Sequence, residues 1–118
     1  LALKHIHEDK VTIFGEFPPI LTSLLDGAHE AHYDLSSLRV VVGLDEPDTI
    51  KRFEEITKGT FWAFYGQTET SGLVTLAPYF DKPGSSGVPV FIAEVEVVDD
   101  DGNFLEKGKN GSCHAHLR

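Results

Sequence analysis

The run Leu38-Arg39-Val40-Val41-Val42-Gly43 limits the fold more than any other part of this chain. Its near-continuous apolar character is that of a strand buried on both faces, and such strands belong to parallel sheets covered by helices. The flanking segments fit. Val11-Thr12-Ile13-Phe14-Gly15-Glu16-Phe17 is a β-type run, and Pro18-Pro19 preset the first turn of a helix with Ile20, Leu21, Leu24 and Leu25 on its apolar face. Asp26-Gly27 interrupts that helix, and a short amphipathic piece runs on through His32. A polar link, Asp34 to Ser37, leads into the central run. Pro47 and Asp48 open a second helix with Ile50, Phe53 and Ile56 on one face and Lys58-Gly59 as its stop. A third apolar strand follows at Phe61-Trp62-Ala63-Phe64. The order is βαβαβ, an α/β class with a parallel sheet.

The last third differs. Residues 78–89 are rich in Gly, Pro and Ser, and Ile92-Ala93-Glu94-Val95-Glu96-Val97-Val98 alternates with period two, as a half-buried antiparallel strand does. Asp101-Gly102-Asn103 signals a turn, the acidic triplet Asp99-Asp100-Asp101 reads as solvated, and Ser112 to Leu117 closes a small antiparallel β unit. The chain thus divides into an α/β segment, residues 1–80, and a loop with β-hairpin, residues 81–118. No Met begins it and Cys113-His114-Ala115-His116-Leu117-Arg118 ends within a strand-like run, so an excised segment of a longer protein is expected.

Of the 118 residues 41% are hydrophobic and 25% charged, which is the composition of a globular domain with its own core. A formal charge of -9 argues against a nucleic-acid partner, whose phosphates bind Lys and Arg. The single Cys113 excludes an internal disulfide framework, and no apolar stretch is long enough for a membrane span or signal-peptide core; a cytoplasmic location is expected.

The chemistry concentrates in Tyr65-Gly66-Gln67-Thr68-Glu69-Thr70, followed by Ser71-Gly72, where the third strand meets solvent. Open α/β sheets bind ligands at that position. Tyr can stack on a base, Gly lets a ligand approach the backbone, Thr can donate to a phosphate oxygen, and Glu can hold Mg²⁺. These six residues by themselves suit an ordinary strand-to-loop junction equally well.

Four more landmarks accompany that run in order: Phe17-Pro18-Pro19-Ile20-Leu21, Asp34-Leu35-Ser36-Ser37-Leu38-Arg39, Lys82-Pro83-Gly84-Ser85-Ser86-Gly87, and the Val98-to-Asn103 turn. Together they resemble the adenylate-forming superfamily of acyl-CoA synthetases, firefly-type luciferases and nonribosomal peptide adenylation domains. The resemblance covers nearly the whole chain and points to part of the large N-terminal domain of an acyl-CoA synthetase. It implies ATP, Mg²⁺ and CoA as cofactors and a carboxylic acid as substrate. Tyr65 would stack on adenine, Thr68 would bond the α-phosphate, and Glu69 would ligate Mg²⁺, with Thr68 and Glu69 the catalytic pair. Gly43, Leu44, Asp45 and Glu46 would line the nucleotide, although the family usually has Gly-Gly or Gly-Ala followed by Pro where this chain has Gly43-Leu44-Asp45-Glu46-Pro47. Gly66 and Gly72 would line the acyl pocket; relatives that activate acetate carry Trp where Gly66 stands, so a medium, long or aromatic acyl group is implied. Ser112 replaces a common Glu.

The family's phosphate-holding Ser/Thr/Gly loop, its ribose-holding Asp and its C-terminal catalytic Lys fall outside these residues. The remaining domains of the same chain are therefore expected partners, the segment alone is expected to be inactive, and exposed apolar surface would favour self-association into a homo-oligomer. A non-catalytic binding or scaffold domain that kept the fold is the alternative.

Other signals are weaker. His29-Glu30-Ala31-His32 has its histidines at i and i+3, whereas a zinc helix of this kind needs i and i+4. His5/His7 and His114/His116 would each share one face of a strand, most simply as solvated edge residues. Gly84-Ser85-Ser86-Gly87 has the shape of an RNA-clamping loop, against which the acidic charge weighs.

Overall fold

The computed structural model describes residues 1–117. Its elements run α1 Ala2–Glu8, β1 Ile13–Glu16, α2 Ile20–Ala31, β2 Val40–Gly43, α3 Pro47–Thr57, β3 Thr60–Gln67, β4 Gly72–Pro78, β5 Val88–Pro89, β6 Ala93–Val98 and β7 Ser112–Leu117. Short 3₁₀ turns cover Thr68–Thr70 and Tyr79–Asp81. Strands β1 to β5 form one sheet in sequence order, and β6 pairs with β7 in a second. β1, β2 and β3 are parallel, which gives the expected βαβαβ unit. β4 and β5 return antiparallel, so the large sheet is mixed and takes its fifth strand from the end of the Gly/Pro-rich stretch.

One core holds the α/β part together. Ile6 of α1, Leu21, Leu24, Leu25 and Ala28 of α2, Ile50 and Phe53 of α3, Val41 of β2 and Phe61 of β3 pack with Leu35 and Leu38. These strand residues share one face of the sheet by alternation. The other face is less covered than a strand buried on both sides requires. Val40 and Val42 are half-buried, Ile13 is 65% exposed, and Trp62 and Phe64 are half-buried, with the Phe64 ring meeting Phe17 edge-on at 5.8 Å. Within these residues the helices serve a single face.

Several local expectations change. α2 continues through Asp26-Gly27: Asp26 accepts from Arg52 Nη1 of α3 at 2.6 Å, and Gly27 lies where a Cβ would come within 2.8 Å of Leu3 on α1. A helix Gly costs about 1 kcal/mol relative to Ala; here it admits a neighbouring helix. Pro18 and Pro19 precede α2, with Pro19 as its N-cap, and Ile20 is 45% exposed. Ile56 is also exposed, at 53%, and Thr57 takes its place on the buried face of α3. Positions i and i+7 share a helical stripe more closely than i and i+6. The Thr57 hydroxyl donates to Phe53 O at 2.9 Å and accepts from Gly59 N–H.

His5 and His7 lie on helix α1, not on a strand. His5 pairs with Asp9 across one turn at 2.8 Å, and His7 Nδ1 accepts from the Asp34 N–H at 2.9 Å. His114 and His116 do lie on a strand, and His116 pairs with Glu94 of β6 at 2.9 Å. Among the described residues no three His, Cys, Asp or Glu side chains are grouped to hold a metal ion. The Asp99 carboxylate shapes the acidic turn by accepting from the Asp101 and Asn103 N–H groups. Among the described residues, no helix is long and apolar enough to cross a membrane.

Candidate active site

The carboxyl ends of β1, β2 and β3 bring the expected site residues to one rim of the sheet. β3 is longer than its apolar core suggested, so Tyr65, Gly66 and Gln67 are strand residues, and the loop begins at Thr68. The β3–β4 pairing places Tyr65 opposite Thr75 and Gly66 opposite Leu73, leaving Val74 as an extra residue in a bulge. Bulges re-aim side chains at functional edges. Gly66 sits where a Cβ would collide with the Gly72 carbonyl group and come within 3.3 Å of Leu73 Cα. Close backbone approach thus accounts for glycine there, whatever lines the acyl pocket. Gly72 has φ +145°, and the space a Cβ would enter is open.

The turn after β3 divides its labour. Gln67 and Thr70 cap it reciprocally, and the Thr70 hydroxyl donates to the carbonyls of Gln67 and Gly72. The Thr68 hydroxyl and the Glu69 carboxylate make no hydrogen bond or ion pair among the described residues. Glu69 is exposed. A free carboxylate of this kind is a hard oxygen donor suited to Mg²⁺.

Tyr65 is fixed from two directions. Its hydroxyl donates to Gln67 Oε1 at 3.2 Å, and its N–H donates to the Thr75 hydroxyl, which in turn donates to the Ser86 carbonyl at 2.5 Å. Thr75, 8% exposed, thereby ties β3 to the loop at Lys82–Gly87. A cavity of about 240 Å³ beside Tyr65 is lined by Thr75, Ser86, Gly87 and Cys113. A second, of about 190 Å³, is bounded by Gly43, Leu44, Asp45, Ile50, Phe61 and Ala63 and by Ser85 and Ser86 from across the cleft. Ser86 is common to both cavities. Tyr65 and the Gly43–Asp45 stretch are thus brought to neighbouring hollows separated by one loop, with Glu46 just outside as the N-cap of α3.

Two residues escaped the sequence reading. Thr75 lies in a strand whose Leu73-Val74-Thr75-Leu76 stretch, rich in β-branched and apolar residues, could have revealed it. Glu16 ends β1 in register with Gly43, 3% exposed, with neither carboxylate oxygen hydrogen-bonded. Burial, and then the charge of Asp45, raise its pKa from 4.5 to about 7. An acid at the end of an apolar strand was its only signal.

The fold and its rim define an α/β scaffold with a ligand-ready turn at the carboxyl ends of parallel strands, the arrangement such sheets use for ligands. The chain belongs to the AMP-binding enzyme family, which matches residues 1–115. It is 39% identical over 97 residues to a long-chain-fatty-acid–CoA ligase of Yersinia pestis, covering 78% of this chain and 17% of that protein. It is 32% identical over 120 residues to 4-coumarate–CoA ligase 1 of Glycine max, covering 90% of this chain and 40% of that one. Among solved structures, one named as a long-chain-fatty-acid CoA ligase from Rhodopseudomonas palustris superimposes with a TM-score of 0.88 at 49% identity, over 95% of this chain and 28% of that one. This chain therefore spans well under half the length of these relatives.

Proposed function

We propose that this chain is part of an AMP-forming acyl-CoA synthetase and supplies the wall of its active site that meets adenine, the α-phosphate and Mg²⁺. The observation that carries this reading is a family match across the chain combined with a turn that leaves Thr68 and Glu69 unengaged while Gln67 and Thr70 hold its shape. The Tyr65 ring would pack on the base, and the backbone of Gly43 to Glu46 would border its edge. The Thr68 hydroxyl would donate to an α-phosphate oxygen, and Glu69 would hold the Mg²⁺.

In the first half-reaction a carboxylate oxygen attacks the α-phosphorus in line, and the bond to pyrophosphate breaks. Negative charge builds up on the α-phosphate oxygens, where the Thr68 hydroxyl would donate and beside which Glu69 would hold Mg²⁺, so that both residues would act on the barrier rather than merely bind substrate. Mg²⁺, when bound, supplies positive charge to the phosphates. The acyl group then passes to the thiol of CoA and AMP leaves. Gly72, open on its side-chain face, would border the acyl chain together with Gly66.

The test is ATP–pyrophosphate exchange with a panel of carboxylic acids, run on the whole protein that contains this chain and on the 118-residue chain alone. Exchange is expected from the former with medium, long or aromatic acids and not from the latter, because a single wall does not enclose the transition state. Exchange confined to acetate, or robust exchange by the 118-residue chain, would contradict the reading.

A further inference from the structure

Thr75 of β4 stands opposite Tyr65 of β3, 8% exposed, with its hydroxyl between two main-chain groups. The Tyr65 N–H donates to Thr75 Oγ1 at 3.2 Å, and Oγ1 donates to the Ser86 carbonyl at 2.5 Å. Chemistry settles the direction of both bonds, since an N–H only donates and a carbonyl only accepts. The hydroxyl thus spends its single proton on Ser86 and a lone pair on Tyr65, and one buried atom couples the two backbones.

On either side of Ser86 the loop is fixed by other means. The Ser85 N–H donates to Lys82 O at 3.1 Å, closing a turn, and the Gly87 N–H donates to Ser85 Oγ at 3.2 Å. Gly87, at φ +95°, lies where a Cβ would come within 2.5 Å of the Leu76 carbonyl carbon, and Val88 then pairs with Leu76. Ser86 sits between these anchors, lines both hollows, and is drawn toward β4 by its bond to Thr75. A base that packs on the Tyr65 ring and reaches the Gly43–Asp45 stretch passes Ser86 on the way. The width of that passage is the spacing of Ser86 from the Tyr65 backbone, which the Thr75 hydroxyl sets.

We propose that Thr75 is a positioning residue that selects the nucleotide base: its hydroxyl holds Ser86 at a fixed distance from Tyr65, and the passage so formed admits adenine and excludes guanine, which carries one more exocyclic group. The inference rests on the reading of Tyr65 and the Gly43–Glu46 loop as nucleotide-lining. Loosening the passage weakens the binding of ATP and its preference over GTP. The chemical step on bound ATP, assigned to Thr68 and Glu69 on the turn after β3, persists.

In the whole protein, KM and kcat are measured with ATP and with GTP for wild type, T75V, T75C, T75S and Y65A, and amide exchange at Tyr65 is compared between wild type and T75V. T75V keeps the shape of the side chain but neither accepts nor donates. It is expected to raise KM for ATP by about threefold to tenfold at nearly constant kcat, because a smaller fraction of the loop stands in the binding position. Its preference for ATP over GTP in kcat/KM should fall by a similar factor, and exchange at Tyr65 should quicken. T75S restores the hydroxyl and should match wild type. T75C, whose thiol is a weaker donor and acceptor, should fall between T75S and T75V and carries the test if T75V does not fold. Y65A should raise KM for ATP at least as much as T75V. A KM for ATP that is the same in wild type, T75C and T75V would overturn the proposal, as would a T75S enzyme as impaired as T75V, or a T75V loss confined to kcat. If Y65A raises KM and T75V does not, the positioning role fails and the nucleotide reading stands; if neither raises it, the nucleotide reading fails and the proposal with it.

Discussion

At Gly66 the backbone of β4 comes so near that no side chain fits without moving main chain. Gly66→Ala is therefore expected to destabilise the chain by about 1–3 kcal/mol, the usual cost of overpacking, read as a lower denaturant midpoint at unchanged slope. Equal stability would mean that the bulge relaxes freely. A Trp at this position would disturb the β3–β4 pairing before it could report on acyl-chain length, so substrate size is better tested with wild-type enzyme and a series of acids. Thr68 and Glu69 were legible because hydroxyl and carboxylate stand side by side where a strand ends. Glu16 was not, because a lone acid in a strand looks the same whether it is exposed or buried, as this one is. Its consequence for stability has a definite sign. A carboxyl whose folded pKa is raised from 4.5 to about 7 leaves the folded state binding more protons than the unfolded one between those values, so its contribution falls as pH rises through that window. Glu16→Gln should flatten the decline in melting temperature from pH 5 to 7.5; a parallel decline in the variant would show that other groups cause it.

Among the elements, β4 was the main omission. Its sequence, Gly72-Leu73-Val74-Thr75-Leu76-Ala77-Pro78, has no clean alternation, because the bulge at Val74 breaks the period that would reveal a strand. The three parallel strands and their two helices were legible for the opposite reason: short apolar runs alternate with helical spacing and with Pro or Gly punctuation. Helix α1 gave little signal, since only Ile6 of its seven residues is buried. The Asp26-Gly27 pair misled because its role is set by contacts with α1 and α3 rather than by local propensity. The strand that was missed also carries the link to the loop at Lys82–Gly87. Thr75→Val keeps the shape but leaves the Ser86 carbonyl and the Tyr65 N–H without their partner, which should cost about 1–3 kcal/mol and speed amide exchange at Tyr65. Unaltered exchange there would indicate that the loop is held by other contacts.

For the whole molecule, one face of the large sheet is packed and the other is partly bare, with Ile13, Phe17 and Val88 each more than half exposed. The βαβαβ order could be read from sequence, but which faces are covered could not, since coverage depends on elements distant in the chain. The same holds for the candidate site. The turn at Thr68–Thr70 was legible as a motif, whereas the division into two hollows either side of Ser86 follows from how the Lys82–Gly87 loop folds back on β4. Glu69 is proposed to supply the carboxylate that holds Mg²⁺ where charge develops on the α-phosphate. The measurement that tests it most directly is Mg²⁺-dependent ATP–pyrophosphate exchange by the whole protein, compared between wild type and Glu69→Gln with Thr68→Ala alongside. Glu69→Gln is expected to lose at least about 10²-fold at saturating Mg²⁺ and Thr68→Ala less, with unchanged folding in both. A Glu69→Gln enzyme that exchanges at a near-normal rate would contradict it.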